Sequence, residues 1–358
     1  MPKGMRKIGY KAFNNCESLD SVVILEGMEQ IGEYAFEGCT TLETVDIPEG
    51  VTVIGENAFK DCIALENVVF PNSLTEISWM SFRNCKSLKS VIMPEKLSKI
   101  CASAFCGCES LESVVIPNSV TEICGAAFSG CISLESFVIP SSVTKIAGGL
   151  FSDCSSLKSV VIPDVITEIG ISAFEGCISL ASVNIPAGVT EIGDKAFEGC
   201  SLIESINIPE EVAEICDGMF KDCTSLKSVV IPSKVTKIGN SAFCGCSSLE
   251  SVDIPENVTE IGDSAFCDCS LLRSIVIPPK VTEIGKRAFA GCLSLESIVI
   301  PASVNKIGDE IFTSCPSLAS VEFCGTKAQW SKVKKGRFWS GGIPAKRLKC
   351  SDGEARIL

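Results

Sequence analysis

Apolar positions recur along the chain with a period of 23 residues. Phenylalanine marks the period most clearly, and a cysteine follows three residues after each of these phenylalanines. One unit reads "SLESVDIPENVTEIGDSAFCDC". A fixed period of this length is typical of arrays in which every repeat is one supersecondary unit stacked on the next. The periodic phenylalanines are Phe13, Phe36, Phe59, Phe82, Phe105, Phe128, Phe151, Phe174, Phe197, Phe220, Phe243, Phe266, Phe289 and Phe312.

Each unit predicts two short extended segments joined by turns. In L-x-S-V-x-I, the Val and Ile are two residues apart and therefore point to one side of a strand. Proline ends this strand because it has no amide hydrogen to donate. The segment V-T-x-I-G predicts a second short extended piece, and A-F-x-x-C predicts one helical or 3₁₀ turn. The eight inward positions of a unit are buried only when units stack, which predicts a β-rich solenoid with a curved parallel sheet.

The residue that follows the central Val of the first strand predicts an outward-facing column. Five successive members are β-branched and should form an exposed apolar stripe roughly 20 Å long, from four steps of strand spacing. Such a stripe is typical of a binding surface. We predict a partner-binding sheet face made of this valine stripe, Val69, Ile92, Val115, Val138 and Val161, and of a charged rim beside it, Glu66, Lys89, Glu112, Glu135 and Lys158.

The segment "LESVVIPNSVTEICGAAFSGC", residues 111–131, resembles the BspA-like leucine-rich repeat, a 23-residue variant found in bacterial and protist surface proteins, including adhesins. The resemblance covers residues 1–323 and implies a leucine-rich repeat array of about 14 repeats. Proline and polar residues stand where the commonest leucine-rich repeats have Asn or Cys. We therefore expect short strands and single turns instead of long helices on the far side.

The two ends depart from the repeat in different ways. Pro2, Met5 and Ile8 already occupy repeat columns, so the chain starts inside a repeat. We expect truncation of a longer protein, with a native edge that pairs with a second chain as the alternative.

Residues 324–358 form a separate, basic tail, with nine Lys or Arg against Asp352 and Glu354, a net charge of +7. Since the whole chain carries −13, residues 1–323 carry −20. We expect the tail to cap the last repeat, and docking on acidic surfaces is the alternative. The residues expected to cover the repeat are Trp330, Val333, Phe338, Trp339 and Ile343.

Composition excludes several classes of function. The 358 residues include no histidine, which removes the commonest general base and metal ligand. The formal charge of −13 argues against nucleic-acid binding over the whole surface. No apolar run is long enough to span a membrane, and no nucleotide-binding motif is present. We predict no enzymatic activity, no cofactor and no metal.

Four cysteines in "SAFCGCSSLESVDIPENVTEIGDSAFCDC" raise the question of a thiol site. Cys246 and Cys269 belong to the inward column and should pack as core residues. Cys244 and Cys267 should point away from them, so the four thiols cannot form one zinc cage. Disulfides between stacked cysteines are disfavoured because parallel Cβ vectors keep the Cβ atoms too far apart. Only Cys244 and Cys267 remain candidates for reactivity.

The sequence favours a non-enzymatic module that binds a protein of unknown identity through the open face of its sheet. A structural protein that assembles with copies of itself through its uncapped N-terminal end is the alternative. The resemblance implies a cell-surface or secreted protein, whereas 22 cysteines with no recognisable leader favour a reducing or anaerobic setting. The compartment therefore stays open.

Overall fold

The computed structural model describes residues 4–357, so the expectation for Pro2 lies outside the described residues. The chain divides into two compact units, one up to Leu180 and one from Ala181 onwards. Each unit is a solenoid of stacked 23-residue turns, which confirms the predicted fold class. This division falls within the repeats, and the predicted boundary at 323/324 stays a prediction.

The first unit contains two series of short parallel strands. The series of longer strands, three residues each, consists of Ser21–Val23, Thr44–Asp46, Asn67–Val69, Ser90–Ile92, Ser113–Val115, Ser136–Val138 and Ser159–Val161. The series of shorter strands, two residues each, consists of Lys7–Ile8, Gln30–Ile31, Val53–Ile54, Glu76–Ile77, Lys99–Ile100, Glu122–Ile123, Lys145–Ile146 and Glu168–Ile169. Strands pair one repeat apart, so that Val114 lies opposite Val91 and Val115 lies opposite Ile92.

The second unit repeats this arrangement. Its longer strands are Ser205–Asn207, Ser228–Val230, Ser274–Val276, Ser297–Ile300 and Ser320–Phe323. Its shorter strands are Glu191–Ile192, Glu214–Ile215, Lys237–Ile238, Glu260–Ile261, Glu283–Ile284, Lys306–Ile307 and Lys334–Lys335. Between Val230 and Ser274, Asp253 makes only an isolated bridge to Val230.

The core of each unit is built from stacked columns of like residues. In the repeat from Leu42 to Cys62, all eight predicted inward side chains are at most 5% exposed. Most successive Phe rings stack, with centroids 5.1 to 5.6 Å apart in the first unit and 5.3 to 6.1 Å apart in the second. Phe137 lies between Phe128 and Phe151 and contacts both rings edge-on.

The turn that carries each Phe forms hydrogen bonds in two directions. The Cys39 amide donates to the Phe36 carbonyl at 3.1 Å, a 3₁₀-type bond within the repeat. The Phe36 amide donates instead to the Ala58 carbonyl of the next repeat at 2.7 Å. Left-handed backbone at Tyr34 (φ 55°) and Gly38 (φ 72°) makes this alternation possible. The turn therefore pairs with its neighbours much as a strand would.

Residues after Phe323 cover the end of the second unit. Helix Lys327–Lys332 starts with a capping box between Thr326 and Gln329. Strand Arg347–Cys350 extends the sheet in parallel from Ser320–Phe323, and Gly353–Arg356 pairs with it antiparallel.

Two aromatic side chains of this segment make the covering contacts. Trp339 contacts Phe312 edge-on at 6.4 Å, and Trp330 contacts Phe323 at 5.1 Å. Of the five residues expected to cover the repeat, Trp330, Val333, Trp339 and Ile343 are buried. The expectation is wrong for Phe338, which is 74% exposed because its backbone is left-handed (φ 52°) and turns the ring outward.

Candidate functional site

The valine stripe lies on the solvent side of the first unit. Each of its strands has an exposed–buried–exposed pattern, because successive side chains point to opposite faces. The exposed fractions are 58% for Val69, 80% for Ile92, 80% for Val115, 61% for Val138 and 58% for Val161.

The stripe spans two hydrogen-bonded sheets. Val69, Ile92 and Val115 belong to a five-stranded sheet that ends at Ser113–Val115. Val138 and Val161 belong to a separate two-stranded sheet. The column continues at the other end with Asp46, which interrupts the apolar run before Val23. The stripe is therefore bounded by a carboxylate, and it contains a break in the backbone pairing after Val115.

The charged rim next to the stripe is partly self-neutralised. Lys89 pairs with Glu66 at 2.9 Å, and Lys158 pairs with Glu135 at 2.9 Å. Such exposed pairs contribute about 0–1 kcal/mol each, so a partner could exchange them at little cost. Glu112 lies between the two pairs and makes no ion pair with any residue in the described range 4–357. An unpaired carboxylate beside Val115 gives this part of the rim a negative charge.

The column cysteines are donors within the core as well as packing groups. The Cys131 thiol donates to the Phe105 carbonyl at 3.3 Å, and the Cys246 thiol donates to the Phe220 carbonyl at 3.1 Å. Burial raises the pKa of Cys154 to about 12. These thiols are therefore protonated and structural at neutral pH, as predicted for Cys246 and Cys269.

Cys244 and Cys267 differ from the column cysteines. Their Sγ atoms and a carboxylate oxygen of Asp268 all lie within 4.8 Å of one another, and no other group of three such ligands was found in residues 4–357. Cys246 and Cys269 lie outside this group, as expected. The expectation that Cys267 is outward and accessible is wrong. It is 4% exposed, and its thiol lies 3.3 Å from the carboxylate of Asp268.

We call Cys244, Cys267 and Asp268 the thiol cluster. The pKa values of its two thiols are shifted in opposite directions. A hydrogen bond from Cys267 lowers the pKa of Cys244, despite its partial burial. The same hydrogen bond, burial and the Asp268 carboxylate, 3.3 Å from the Cys267 Sγ atom, together raise the pKa of Cys267. Sequence reasoning missed Asp268. The signal was present in the text "CDC", because the 23-residue register places Cys244 and Cys267 on adjacent rungs.

A cleft on the far side of the first unit brings together unlike groups. It has a volume of about 220 Å³ and is lined by Glu122, Cys124 and Lys145, among others. Burial raises the pKa of Cys124, and the Cys124 thiol donates to Glu122 at 3.3 Å, which acts in the same direction. Lys99 pairs with Glu122 at 3.0 Å. A protonated thiol is a poor nucleophile, so the cleft does not present an activated cysteine.

A comparison with protein families gives a match over most of the chain. The profile described as "BspA type Leucine rich repeat region (6 copies)" matches residues 1–108, 81–204, 121–250 and 190–319. The chain belongs to the BspA-type leucine-rich repeat family. The resemblance seen in the sequence is therefore confirmed, as is the leucine-rich repeat fold.

Solved structures agree with this assignment. A leucine-rich repeat protein from Bacteroides ovatus is 30% identical, with a TM-score of 0.75 over 98% of this chain and 97% of that one. A leucine-rich cell surface protein from Faecalibacterium prausnitzii is 32% identical, with a TM-score of 0.58 over 92% of this chain and 90% of that one. A leucine-rich repeat protein from Eubacterium ventriosum, 24% identical with a TM-score of 0.53, shares the fold over 76% of this chain and 82% of that one.

Neither curated sequences nor membrane-spanning helices add to this assignment. No curated protein sequence matches the chain. Within residues 4–357, no helix has both the length and the apolar character needed to cross a membrane.

Proposed function

We propose that this repeat array is a non-enzymatic binding module that holds a protein partner against the valine stripe and the charged rim of its first unit. The observation that carries the proposal is the exposure of five β-branched side chains in consecutive repeats, between 58% and 80% each. Monomeric proteins rarely expose a contiguous apolar surface of this kind without a partner.

The surface suits a protein better than a small molecule. The stripe is a row of outward side chains on short strands, so it offers an open surface and not an enclosed pocket. Paired and unpaired charges border the apolar centre, as in the polar rims of protein interfaces. The free carboxylate of Glu112 favours a partner with a basic side chain opposite Val115.

Membership of the family supports an adhesin-like partner, such as a host matrix or plasma protein or another microbial surface protein. The relative from Faecalibacterium prausnitzii is itself described as a cell surface protein. Members of this family generally lack catalytic activity, and the half-buried Cys124, whose pKa is raised, fits that pattern.

The test compares two double variants against immobilised matrix and plasma proteins by biolayer interferometry. Ile92→Arg with Val115→Arg places two charges at the centre of the stripe, and each replaced side chain is 80% exposed, so folding is unaffected. We expect a loss of at least about 2 kcal/mol in binding, roughly 30-fold in Kd.

The control is Val165→Arg with Ile171→Arg, which adds the same charge at sites 45% and 58% exposed outside the stripe. This variant should bind like the parent protein. Equal binding by the parent and the stripe variant would place the interface elsewhere. An absence of binding to every protein of the panel would contradict an adhesin-like partner.

A further inference from the structure

The thiol cluster on the second unit brings together three side chains that lie outside the repeated Phe and Cys columns. Cys244 and Cys267 lie on adjacent rungs, because the Gly245 amide donates to the Cys267 carbonyl at 2.7 Å. The column cysteines Cys246 and Cys269 donate to Phe carbonyls, whereas the Cys267 thiol lies 3.3 Å from the Asp268 carboxylate. All three ligand atoms lie within 4.8 Å of one another.

Two sulfur atoms and one carboxylate oxygen at this separation match the ligand set of a tetrahedral cation site. Zinc binds thiolate sulfur at about 2.3 Å, which places two sulfur ligands of a tetrahedron about 3.8 Å apart. Thiolates favour zinc-like cations over magnesium or calcium, which prefer oxygen ligands. Only small side-chain movements are needed to close the cluster around such an ion.

The surroundings leave one side of the cluster open. Cys267 is 4% exposed and forms the floor, while Cys244 is half-buried and Asp268 is exposed. The Lys221 ammonium on the preceding rung is held by Glu198 at 2.6 Å. Water therefore has access to the fourth position, as in an open zinc site.

From this geometry we infer that Cys244, Cys267 and Asp268 bind a thiophilic divalent cation of the zinc class. The cation replaces the two thiol protons, which pass to solvent, and Asp268 binds as its carboxylate. No oxidation state changes. Water supplies the fourth ligand, and the bound ion links two adjacent rungs of the second unit, which stabilises the folded form.

The test uses the full chain, reduced with a phosphine and freed of metal with a chelator. Isothermal titration with zinc chloride should give one site per chain. Titration with cobalt(II) should give the near-ultraviolet absorption of cobalt–thiolate bonds. Cys244→Ser combined with Cys267→Ser should abolish that absorption and weaken zinc binding by at least about 100-fold, and Asp268→Asn should weaken it by about tenfold.

The chain contains a matched control. Cys101 and Cys124 are also one repeat apart and half-buried, but they donate to the carboxylates of Glu76 and Glu122 and do not belong to a three-ligand group. Cys101→Ser combined with Cys124→Ser should therefore leave the zinc affinity and the cobalt spectrum unchanged.

Three outcomes would overturn the inference: no cobalt–thiolate absorption in the parent protein, equal zinc affinity in the Cys244/Cys267 double variant, or loss of binding in the control instead. Circular dichroism and urea midpoints establish that each variant is folded. Cys244→Ala, at a half-buried site, provides a second variant if the double variant fails to fold.

Discussion

A thiol in this fold has properties that depend on its column. Cys131 is fully buried, donates to a carbonyl of the preceding repeat and has a pKa raised well above its usual value by burial. Cys244 lies two residues before a column cysteine, remains half-buried and receives a hydrogen bond from Cys267 that lowers its pKa. The same residue type is therefore inert in one column and activated in another.

We predict that Cys244 is alkylated faster than Cys216 in the metal-free native protein. Both side chains are half-buried, but burial and the carboxylate of Glu214 raise the pKa of Cys216 to about 11. Because the thiolate is the nucleophile, a lower pKa gives a larger reactive fraction at pH 8. Iodoacetamide labelling followed by peptide mass spectrometry measures both rates.

A second variant isolates the cause of this difference. Cys267→Ala removes the hydrogen-bond donor and should slow the alkylation of Cys244, while Cys216 should be unaffected. If Cys216 reacts as fast as Cys244 in the parent protein, the hydrogen bond does not control the thiolate population.

Residue-level features were predictable where the repeat supplied neighbours for comparison. The outward direction of Val115 follows from a period of two along a strand, and the structure agrees. Phe338 and Asp268 show the limits. Phe338 lies after the register ends, so no column fixes its direction, and the contact of Asp268 with Cys267 depends on side-chain conformation and not on spacing.

At the scale of the element, the turn after each short strand restricts the choice of residue as strictly as the strands do. Gly107 (φ 74°) and Gly130 (φ 71°) occupy the same left-handed position in successive repeats. A Cβ on Gly107 would lie 2.4 Å from Asn84 Oδ1, whereas a Cβ on Gly130 would have no atom nearer than 3.5 Å. Two glycines in identical backbone conformations therefore differ only in what lies beneath them.

We predict that Gly107→Ala destabilises the first unit more than Gly130→Ala does. Both substitutions carry the cost of a left-handed alanine, about 1–2 kcal/mol. Gly107→Ala also displaces Asn84, whose side chain donates to Asp61 at 2.8 Å, and loss of that bond adds about 1 kcal/mol. Urea unfolding followed by circular dichroism measures the difference.

Replacing the obstructing side chain gives the control. In an Asn84→Gly background, the two alanine substitutions should cost the same, because Asn84 no longer blocks the Cβ. A difference that persists there would mean that the backbone, and not Asn84, resists the substitution.

At the scale of the whole molecule, nearly every repeat contributes one buried column thiol, so the chain contains many of them. The first unit contains seven fully buried column cysteines, Cys39, Cys62, Cys85, Cys108, Cys131, Cys154 and Cys177. Burial raises the pKa of each, to about 11 for Cys39 and about 12 for Cys154. Unfolded cysteines have a pKa near 8.5, so the unfolded chain loses protons that the folded chain keeps.

This difference predicts alkaline unfolding of the first unit. The stabilising contribution of the protonated thiols is complete below about pH 8 and is lost as the pH rises above the unfolded pKa. Each thiol lowers the unfolding free energy by roughly 1 kcal/mol by pH 9.5, so the seven together lower it by several kcal/mol, a large fraction of the stability of a domain. Urea unfolding between pH 7.5 and 9.5, under reducing conditions, measures the loss.

The number of thiols should set the slope of this loss. Cys131→Ala combined with Cys154→Ala lowers the stability at pH 7.5 by removing buried side chains, and it leaves five of the seven column thiols together with Cys101 and Cys124, whose pKa values are also raised. The unfolding free energy of this variant should therefore fall less than that of the parent protein between pH 7.5 and 9.5, by the contribution of the two missing thiols. An identical slope in both proteins would show that groups other than the column cysteines cause the alkaline loss.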